Sequence, residues 1–420
     1  MKDPPHDVAI IGAGAAGLFA SIFAARQTGE AGKIVAFDGA KKLGAKILIA
    51  GGGRCNVTHD LVRPDDYAVG PGGSRNAVKK VLRSFTVDDT VDFFRGRGVE
   101  LKREDTGKLF PTTDRARTVL NALLEACYEA GAKLHTDHRV SGVTKQGGGL
   151  FRVTTSQGDT LARRVVLSTG GKALPKTGSD GFGYTLAQKL GHTVGDTWPA
   201  LVPLLLPQGH WLTALKGVAV QTELSLAGPT GKVIHRQAGA TLLTHFGLSG
   251  PAAMDISRHF GGDFGDHKLR LSANLVPPHT FASLEAELLE QSRANPKQTV
   301  LKTAPPHLPE RLAQALVEQG AGLDPATPLS QLTKDARRAW VHALTALPLP
   351  VTADRGYDYA EVTAGGVPLS EVNLSTMESR VCPGLHLAGE ILDVDGRIGG
   401  YNFQWAWCTG RLAGLGAAKA

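Results

Sequence analysis

Short apolar runs that alternate with glycine-rich turns characterise the start of the chain. Residues 7–11 (DVAII) form an apolar run typical of a buried parallel strand. The turn GAGAAG follows, and then an apolar helical stretch extends to about Arg26. Residues 33–37 (KIVAF) predict a second strand. The pattern therefore predicts a strand–turn–helix–strand unit at the beginning of an α/β domain.

Two further strands and several helices are predicted from similar patterns of apolar residues and glycines. Residues 164–167 read as an apolar strand that ends in Thr-Gly-Gly, and residues 384–388 as a strand that ends in Gly-Glu. The last helix is expected to begin between Gly399 and Asn402. Helices are also predicted within residues 74–97 and at about 116–130, the latter with Thr113 and Asp114 as its N-terminal cap.

From about Gly195 the pattern changes, and proline residues interrupt the apolar runs. Residues 218–226 and 233–243 alternate between polar and apolar positions, which is typical of antiparallel strands. Ser249 is placed to cap a helix. Residues 280–338 read as helical with proline breaks, 347–352 as a strand, and VTAGGV as the return to the first domain, at 362–367.

Composition narrows the class of protein. The chain has 420 residues, 52 of them glycine, and a net charge of +7 from 46 basic and 39 acidic residues. Since the basic residues form no long run, we expect a solvated surface that tolerates anionic ligands, and a nucleic-acid partner is not favoured. Four cysteines without C-x-x-C spacing indicate a reducing compartment and no metal site. The apolar stretch 8–25 resembles a leader, but its mixed flanking charges favour a cytoplasmic protein.

The turn GAGAAG carries the chemistry of a dinucleotide site. Gly12 permits a tight turn, Gly14 lets a pyrophosphate approach the backbone, and Gly17 lets the helix pack on the strand. The N–H groups at the helix start, at Ala15 and Ala16, would face the phosphates. Asp38 ends the second strand and would accept hydrogen bonds from ribose hydroxyls.

The C-terminal motif favours FAD over NAD as the dinucleotide. A helix that begins after glycines stabilises the negative charge that a flavin ring gains on reduction, and an NAD-only enzyme has no such need. Glu390 is placed to bond the ribityl chain, and the strand ending at Thr169 would run beside the pyrophosphate. The cofactor residues predicted from these motifs are Thr169, Gly170, Gly389, Glu390, Gly400, Tyr401 and Asn402.

These motifs resemble those of bacterial FAD-dependent flavoproteins of the aminoacetone-oxidase/BaiN type. Ala50, Ile398 and Asp38 depart from the residues common in that family. The resemblance implies a discontinuous Rossmann-like FAD-binding domain with an inserted β-rich and helical domain. The predicted boundaries are 1–195 and 359–420 for the FAD-binding domain and 196–358 for the insertion, β-rich at about 196–275 and helical at about 276–345. The matching stretches are DVAIIGAGAAGL, GAKILIAGGGRCNVT, GKLFPTTDRA, VVLSTGGKALPKTGSDGFGY, LTHFGLSGPA, VTAGGV and GLHLAGEILDVDGRIGGYNFQWAWCTG.

In such proteins the GGGRCN loop runs past the flavin, and its residue types suit that position. Glycines let a backbone approach a flat ring, Arg54 can hold a phosphate, and Asn56 can read a ring edge. Cys55 is interpreted as a small buried packing residue because no second cysteine lies near it to form a redox disulfide. Lys46 can steer phosphates. The residues predicted to hold the cofactor here are Lys46, Gly51, Gly52, Gly53, Arg54, Cys55 and Asn56.

The predicted function is an FAD-dependent oxidoreductase that transfers a hydride between the flavin and a small organic substrate. Since the chain has a single glycine fingerprint, NAD(P)H would bind transiently as a co-substrate, or oxygen would be the oxidant. His245 is the catalytic candidate because histidine titrates near neutrality, although a solvated loop histidine fits the same position. An amine oxidase of the aminoacetone-oxidase kind and an FAD-dependent protein acting on RNA are the alternatives, and a flavin-binding protein without turnover stays open.

Overall fold

The structure, a computed structural model, describes residues 4–30, 32–261 and 269–419. The chain divides into two compact units: unit 1 comprises Met1–Pro199 and Glu361–Ala420, and unit 2 comprises Ala200–Ala360. Unit 2 is therefore an insertion in the sequence of unit 1. The boundaries expected from the sequence, after residues 195 and 358, lie a few residues before those of the structure.

The helices follow the predicted apolar stretches. They are α1 (Ala15–Thr28), α2 (Ala45–Gly53), α3 (Arg75–Leu82), α4 (Val87–Arg95), α5 (Ala116–Glu129), α6 (Phe182–Lys189), α7 (Gly250–Ser257), α8 (Phe281–Ala294), α9 (Glu310–Ala315), α10 (Lys334–Thr345) and α11 (Tyr401–Ala418).

The strands of the chain are mostly short. They are β1 (His6–Ile11), β2 (Ile34–Phe37), β3 (Thr58–His59), β4 (Tyr67–Val69), β5 (Leu101–Arg103), β6 (Lys108–Pro111), β7 (Lys133–His135), β8 (Val140–Lys145), β9 (Phe151–Thr155), β10 (Gly158–Leu167), β11 (Trp198–Ala200), β12 (Leu204–Leu205), β13 (Ala219–Ala227), β14 (Val233–Thr244), β15 (Gly247–Ser249), β16 (Arg270–Asn274), β17 (Leu347–Leu349), β18 (Ala353–Asp354), β19 (Val362–Ala364), β20 (Val372–Asn373), β21 (Glu378–Ser379), β22 (Leu385–Leu387) and β23 (Val394–Gly396).

A parallel sheet forms the centre of unit 1. Its strands run in the order β22-β10-β1-β2-β7, all parallel to their neighbours, and antiparallel strands extend it at β22 and β10. Leu167 pairs with Ile11 on one side and with Leu387 on the other. Because parallel strands end at the same edge, the segments after β1, β10 and β22 come together there. The predicted α/β Rossmann-like fold is confirmed.

The first and last helices of unit 1 pack closely on each other. A side chain at Gly410 would lie 2.4 Å from the Ala16 carbonyl oxygen, and one at Gly414 would lie 2.4 Å from that of Ala20. Neither position can therefore carry a Cβ without moving the backbone of α1. This contact joins the two parts of the sequence that form unit 1 and buries most of α11.

Unit 2 has an antiparallel sheet and its own core. Its seven strands run in the order β17-β16-β13-β14-β15-β12-β18, and the long β13–β14 hairpin lies at its centre. Helices α8 and α10 add apolar side chains to the core, among them the fully buried Trp340. The predicted combination of a β-rich part and a helical part is confirmed. No helix in the described ranges is long and apolar enough to cross a membrane.

Two local predictions need correction, and a third is confirmed in its position but not in its hydrogen bond. Arg115, not Thr113 or Asp114, occupies the N-cap position of helix α5, and no side chain makes a capping hydrogen bond to the backbone there. Thr113 instead bonds the Thr118 hydroxyl in the first turn over 2.8 Å. Ser249 is the N-cap residue of α7, as predicted, although its hydroxyl makes no capping hydrogen bond. The strand expected over 347–352 ends at Leu349.

Candidate functional site

The predicted dinucleotide turn lies at the edge where the parallel strands end. Gly12 follows β1 with φ +93°, and α1 begins three residues later. A Cβ at Gly17 would lie 1.8 Å from the Gly12 carbonyl oxygen, so only glycine allows α1 to approach the strand this closely. The hydroxyl of Ser168, after β10, donates to that same carbonyl over 2.8 Å. The turn is thus held by β1 and β10 together.

The start of α1 presents backbone donors. The first hydrogen bond of the helix runs from the Leu18 N–H to the Gly14 carbonyl, and the N–H groups of Ala15, Ala16 and Gly17 have no acceptor among the described residues. No side chain caps this end. A Cβ at Gly14 would meet nothing within 4 Å, so space lies in front of these donors. The arrangement suits an anionic group such as a pyrophosphate.

Asp38 has a structural task in addition to the predicted one. Its Oδ2 accepts a hydrogen bond from the Ala13 N–H and its Oδ1 from the Ala40 N–H, both over 2.8 Å. The carboxylate therefore ties the end of β2 to the glycine turn. Each oxygen retains a lone pair, so the predicted contact with ribose hydroxyls stays a prediction.

Two buried polar atoms beside this edge have no partner. The side-chain oxygens Asn56 Oδ1 and Thr169 Oγ1 are inaccessible to solvent and make no hydrogen bond to any described residue. Buried polar atoms are normally satisfied, and an unsatisfied one costs about 1–3 kcal/mol. Both residues were predicted from the sequence to contact the cofactor. Orphan atoms at these two positions are consistent with a polar ligand that completes their hydrogen bonds.

The GGGRCN loop starts inside α2 and turns sharply. Ala50 leaves the helical conformation, and Gly51 and Gly52 adopt left-handed angles of φ +57° and +69°. A Cβ at Gly51 would lie 2.9 Å from the Phe110 ring, whereas Gly52 and Gly53 have no contact of this closeness. The loop therefore needs glycine at Gly51 to pass the Phe110 side chain.

Cys55 is fully buried, as the packing interpretation requires. Burial raises the pKa of its thiol from 9.0 to about 12, so the thiol stays protonated at neutral pH. A thiolate is the nucleophilic form of cysteine, so Cys55 is chemically inert in the folded protein. All four cysteines of the chain are free and buried.

Arg54 is paired with acids in the structure, and its predicted contact with a phosphate stays a prediction. Its Nη1 lies 2.6 Å from Glu104 Oε1 and 3.6 Å from Asp114 Oδ1, and its guanidinium carbon lies 4.0 Å from the centroid of the Phe110 ring. Two carboxylates therefore neutralise this cation. The sequence could not reveal the pairing, because Glu104 and Asp114 lie 50 and 60 positions further along the chain.

Lys46 and Glu390 were each predicted to contact the cofactor, and in the structure they form an ion pair. Lys46 Nζ lies 2.6 Å from Glu390 Oε2, and Glu390 Oε1 accepts the Thr363 N–H over 2.9 Å. Lys46 is thus paired with an acid, and its predicted contact with the phosphates stays a prediction. Gly389, with φ +79°, precedes Glu390, and its N–H donates to the hydroxyl of Thr409 in α11.

Glu361 is a candidate that the sequence reasoning missed. Its carboxyl has no hydrogen bond and no ion pair to any described residue, and it is accessible to solvent. Desolvation nevertheless raises its pKa, with Lys46 acting against the shift and Glu390 adding to it. Glu361 is thus an accessible residue whose carboxyl is partly desolvated. Its only sequence signal is its place directly before VTAGGV, which a solvated acid would share.

The start of α11 is built mainly by contacts within unit 1. Gly400 is its N-cap, and no side chain caps the helix. The Asn402 side chain accepts from the Gly396 N–H over 2.8 Å and donates to the Gly396 carbonyl over 2.9 Å. The Tyr401 ring is buried and stacks on His59, with 4.8 Å between the ring centroids. Both side chains are therefore engaged within the protein, and the predicted cofactor contacts of this helix start and of Gly170 stay predictions.

His245 belongs to unit 2, in the turn between β14 and β15. Its ring is exposed and meets the Phe246 ring edge to face, with 5.0 Å between the ring centroids. This placement fits a solvated loop histidine as well as a catalytic one. Within the described ranges, no three His, Cys, Asp or Glu side chains gather as metal ligands.

A family model and several characterised proteins match this chain over nearly its full length. The model described as "HI0933-like protein Rossmann domain" matches residues 6–416. A ribosomal RNA dihydrouridine synthase of Escherichia coli K12 is 37% identical over 407 residues, which are 96% of each chain. A 3-dehydro-bile acid delta(4,6)-reductase of Clostridium scindens is 33% identical over 98% of this chain and 99% of its own. A ribosomal RNA dihydrouridine synthase of Haemophilus influenzae is 32% identical over 98% of both chains.

Among solved structures, a 3-ketosteroid-delta4-(5alpha)-dehydrogenase from Rhodococcus jostii RHA1 shares the fold. The TM-score is 0.53 with 19% sequence identity, and the match covers 100% of this chain and 98% of that one. At this identity the likeness concerns the fold alone.

Proposed function

The chain belongs to the HI0933-like family of FAD-binding Rossmann oxidoreductases, and on that premise we propose that it reduces a carbon–carbon double bond conjugated to a carbonyl group, with a uridine of ribosomal RNA as its substrate. The 37% identity to a ribosomal RNA dihydrouridine synthase over 96% of both chains is the observation that carries the proposal.

The choice of a conjugated double bond rests on what the relatives' names have in common. A dihydrouridine is a uridine whose C5–C6 double bond has been saturated, and this bond is conjugated to the C4 carbonyl. The other relative is called a delta(4,6)-reductase of a dehydro-bile acid, which also denotes reduction of double bonds. One flavin chemistry, hydride addition to a polarised double bond, serves both substrates.

From the sequence alone, RNA is a minor alternative as substrate, and the net charge of +7 is the only feature that favours it. Two relatives named for ribosomal RNA, at 37% and 32% identity, now favour it over a small molecule. A positive protein also attracts RNA phosphates over distance.

The cofactor would be held by donors and neutral oxygens of unit 1. The free N–H groups at the start of α1 suit the pyrophosphate, and the orphan oxygens of Asn56 and Thr169 suit polar groups of FAD. Arg54 and Lys46 are paired with acids, and these ion pairs would hold the segments around the site in place. The residues present therefore fit FAD without a cation on its phosphates.

Reduced FAD, when bound, would supply the hydride chemistry, and a uracil ring that gains a hydride at C6 must also gain a proton at C5. Glu361 is the group of unit 1 best suited to deliver it. Its raised pKa keeps a larger fraction of the carboxyl protonated than an ordinary glutamate has at the same pH, and no described residue forms an ion pair with it. Glu390 is less suited, because Lys46 and the Thr363 N–H stabilise its carboxylate.

The test uses the purified protein with its flavin, under anaerobic conditions. The flavin is first reduced with NADPH or NADH, and unmodified ribosomal RNA is then added. We expect the flavin absorbance to return and dihydrouridine to appear by mass spectrometry of the digested RNA. A flavin that stays reduced in the presence of RNA would contradict the proposal.

The second candidate is reduction of a steroid-like enone, which the relative from Clostridium scindens favours at 33% identity. It is tested in a parallel arm with a 3-keto-4,6-diene bile acid in place of RNA. Reoxidation by the bile acid and not by RNA would select this candidate.

A further inference from the structure

Unit 2 holds an arginine that contacts two aromatic rings and, among the described residues, no acid. Arg355 follows β18, and its guanidinium carbon lies 3.5 Å from the centroid of the Tyr359 ring and 4.2 Å from that of Phe246. Such contacts use the faces of the planar guanidinium. Its N–H bonds lie in the plane and therefore point past the rings.

These N–H donors are available. Among the described residues, no carboxylate pairs with Arg355 and no acceptor bonds its guanidinium; the backbone N–H alone makes a hydrogen bond, to the Pro203 carbonyl over 3.1 Å. The side chain is half-buried. A partly desolvated cation with a fixed plane and unused donors is suited to bind an oxyanion such as a phosphate.

The neighbouring rings are open to a ligand. Tyr359 is 51% exposed although one region of its ring is covered by Arg355, and its hydroxyl has no partner among the described residues. His245 adds a second exposed ring beside Phe246. Exposed aromatic rings next to an unpaired cation are the features with which proteins hold single-stranded nucleotides.

The turn that carries these residues is fixed by its own hydrogen bonds. The Gly356 N–H donates to Asp354 Oδ1 over 2.6 Å, and the Tyr359 N–H donates to the Gly356 carbonyl over 3.1 Å. Phe246 is placed by its carbonyl, which accepts the Leu206 N–H over 3.1 Å. Arg355 and Tyr359 are therefore positioned before any ligand arrives, which lowers the entropic cost of binding.

We propose that Arg355, Tyr359 and Phe246 form a nucleotide-binding site on unit 2, where Arg355 binds a phosphate of single-stranded RNA and a base stacks on Tyr359. This inference rests on the proposed function, since it assumes that the substrate is RNA. It adds a recognition site that contains none of the residues assigned to the cofactor.

The test measures RNA affinity and turnover in the same variants of the flavin-loaded protein. Binding is measured with a fluorescein-labelled oligouridylate at several salt concentrations, and turnover with unmodified ribosomal RNA. The variants are Arg355→Gln, Arg355→Lys, Tyr359→Ala and Tyr359→Phe. Arg236→Gln is the matched control, because Arg236 is an exposed arginine of the same unit that pairs with Glu223 over 3.1 Å.

We expect Arg355→Gln and Tyr359→Ala each to weaken oligouridylate binding about 10-fold or more. Arg355→Gln should also reduce the slope of log Kd against log salt by about one counterion. Arg355→Lys should keep that slope but lose affinity, Tyr359→Phe should bind as the wild type does, and Arg236→Gln should change little. Thermal melting and flavin content check that each variant is folded.

The outcomes separate this site from the proposed function. If dihydrouridine forms while Arg355→Gln and Tyr359→Ala match the wild type in Kd and salt slope, the function stands and the site is wrong. If these two variants lose oligouridylate binding but the wild type forms no dihydrouridine, the site stands and the proposed substrate is wrong. An equal loss in Arg236→Gln would show that overall charge alone binds RNA, which contradicts the site.

Discussion

Each unit of the protein places an arginine over an aromatic ring, and the two arginines differ in what else they touch. Arg54 of unit 1 lies over Phe110 and is paired with Glu104 and Asp114. Arg355 of unit 2 lies over Phe246 and Tyr359 and has no acid partner in the described chain. The first cation is neutralised within the protein, and the second is available to an anion.

The difference indicates how each unit recognises its ligand. In unit 1 the candidate cofactor contacts are backbone N–H groups and two neutral side-chain oxygens, because Arg54, Lys46 and Glu390 are paired with other residues. In unit 2 the candidate contact is the positive charge of Arg355. Unit 1 would thus select its ligand by shape and hydrogen bonds, and unit 2 by charge and stacking.

The largest effect on stability and flavin binding is expected at Gly17, where the backbone of α1 packs closely on the strand. Gly17→Ala would place a methyl group 1.8 Å from the Gly12 carbonyl oxygen, so α1 must move away from the strand. We expect a loss of about 3 kcal/mol or more in the free energy of unfolding, together with loss of flavin. Urea denaturation and flavin absorbance measure the two effects.

Gly14→Ala is the matched control for that change. Its new methyl group would meet no protein atom within 4 Å but would enter the space before the free N–H groups. We expect near-normal stability with weakened flavin binding. Equal instability in both variants would contradict recognition by the backbone in unit 1.

The next largest effect concerns Glu361, the one carboxyl near the Lys46–Glu390 pair that has no partner among the described residues. Glu361→Gln should lower the rate of substrate reduction about 100-fold, because the amide cannot donate the proton. Reduction of the flavin by NAD(P)H should be unchanged. Glu125→Gln, an exposed acid on α5, is the control.

The pH dependence of turnover provides a second check on Glu361. A proton donor acts in its protonated form, so the rate should be high at low pH and fall as pH rises through the raised pKa of this carboxyl. Since Lys46 lowers that pKa, Lys46→Met should move the falling limb to higher pH. A limb that does not move, in a variant that keeps its flavin, would separate Glu361 from the proton transfer.

A smaller effect is expected at Cys55, which unit 1 keeps neutral. Cys55→Ala should cost about 1 kcal/mol in stability by loss of packing and should leave turnover intact. With a thiol pKa of about 12, Cys55 should also resist iodoacetamide in the folded protein at pH 8 and react on unfolding. Loss of turnover with flavin still bound in Cys55→Ser would overturn the packing interpretation.

The smallest effect is expected at Arg54. Its ion pair with Glu104 is more than a third exposed, so Arg54→Gln should change stability by at most about 1 kcal/mol and leave flavin bound. High salt should reduce even this difference. A variant that folds but emerges without flavin would show that Arg54 does hold the cofactor, and the contrast with Arg355 would then fail.

Local patterns in the sequence predicted the fold well and the side-chain contacts poorly. The positions of β1, α1, β10 and α11 follow from apolar periodicity and glycine placement, which act over a few residues. The pairing of Arg54 with Glu104 and of Lys46 with Glu390 depends on how distant segments meet, which no local pattern encodes. Glu361 was missed for the same reason, because the desolvation of its carboxyl arises only in the folded chain.

The contact between Gly410 and Ala16 also determines the order in which the two units can fold during translation. Unit 2 is continuous and can form its core once residue 360 has emerged from the translating machinery, whereas α1 must wait for α11, almost 400 residues later. The earliest-made part of the molecule is therefore among the last to be completed. For that interval the apolar surface of α1 that faces α11 is uncovered, so a nascent chain that stalls before residue 401 exposes a surface that holdase chaperones can bind.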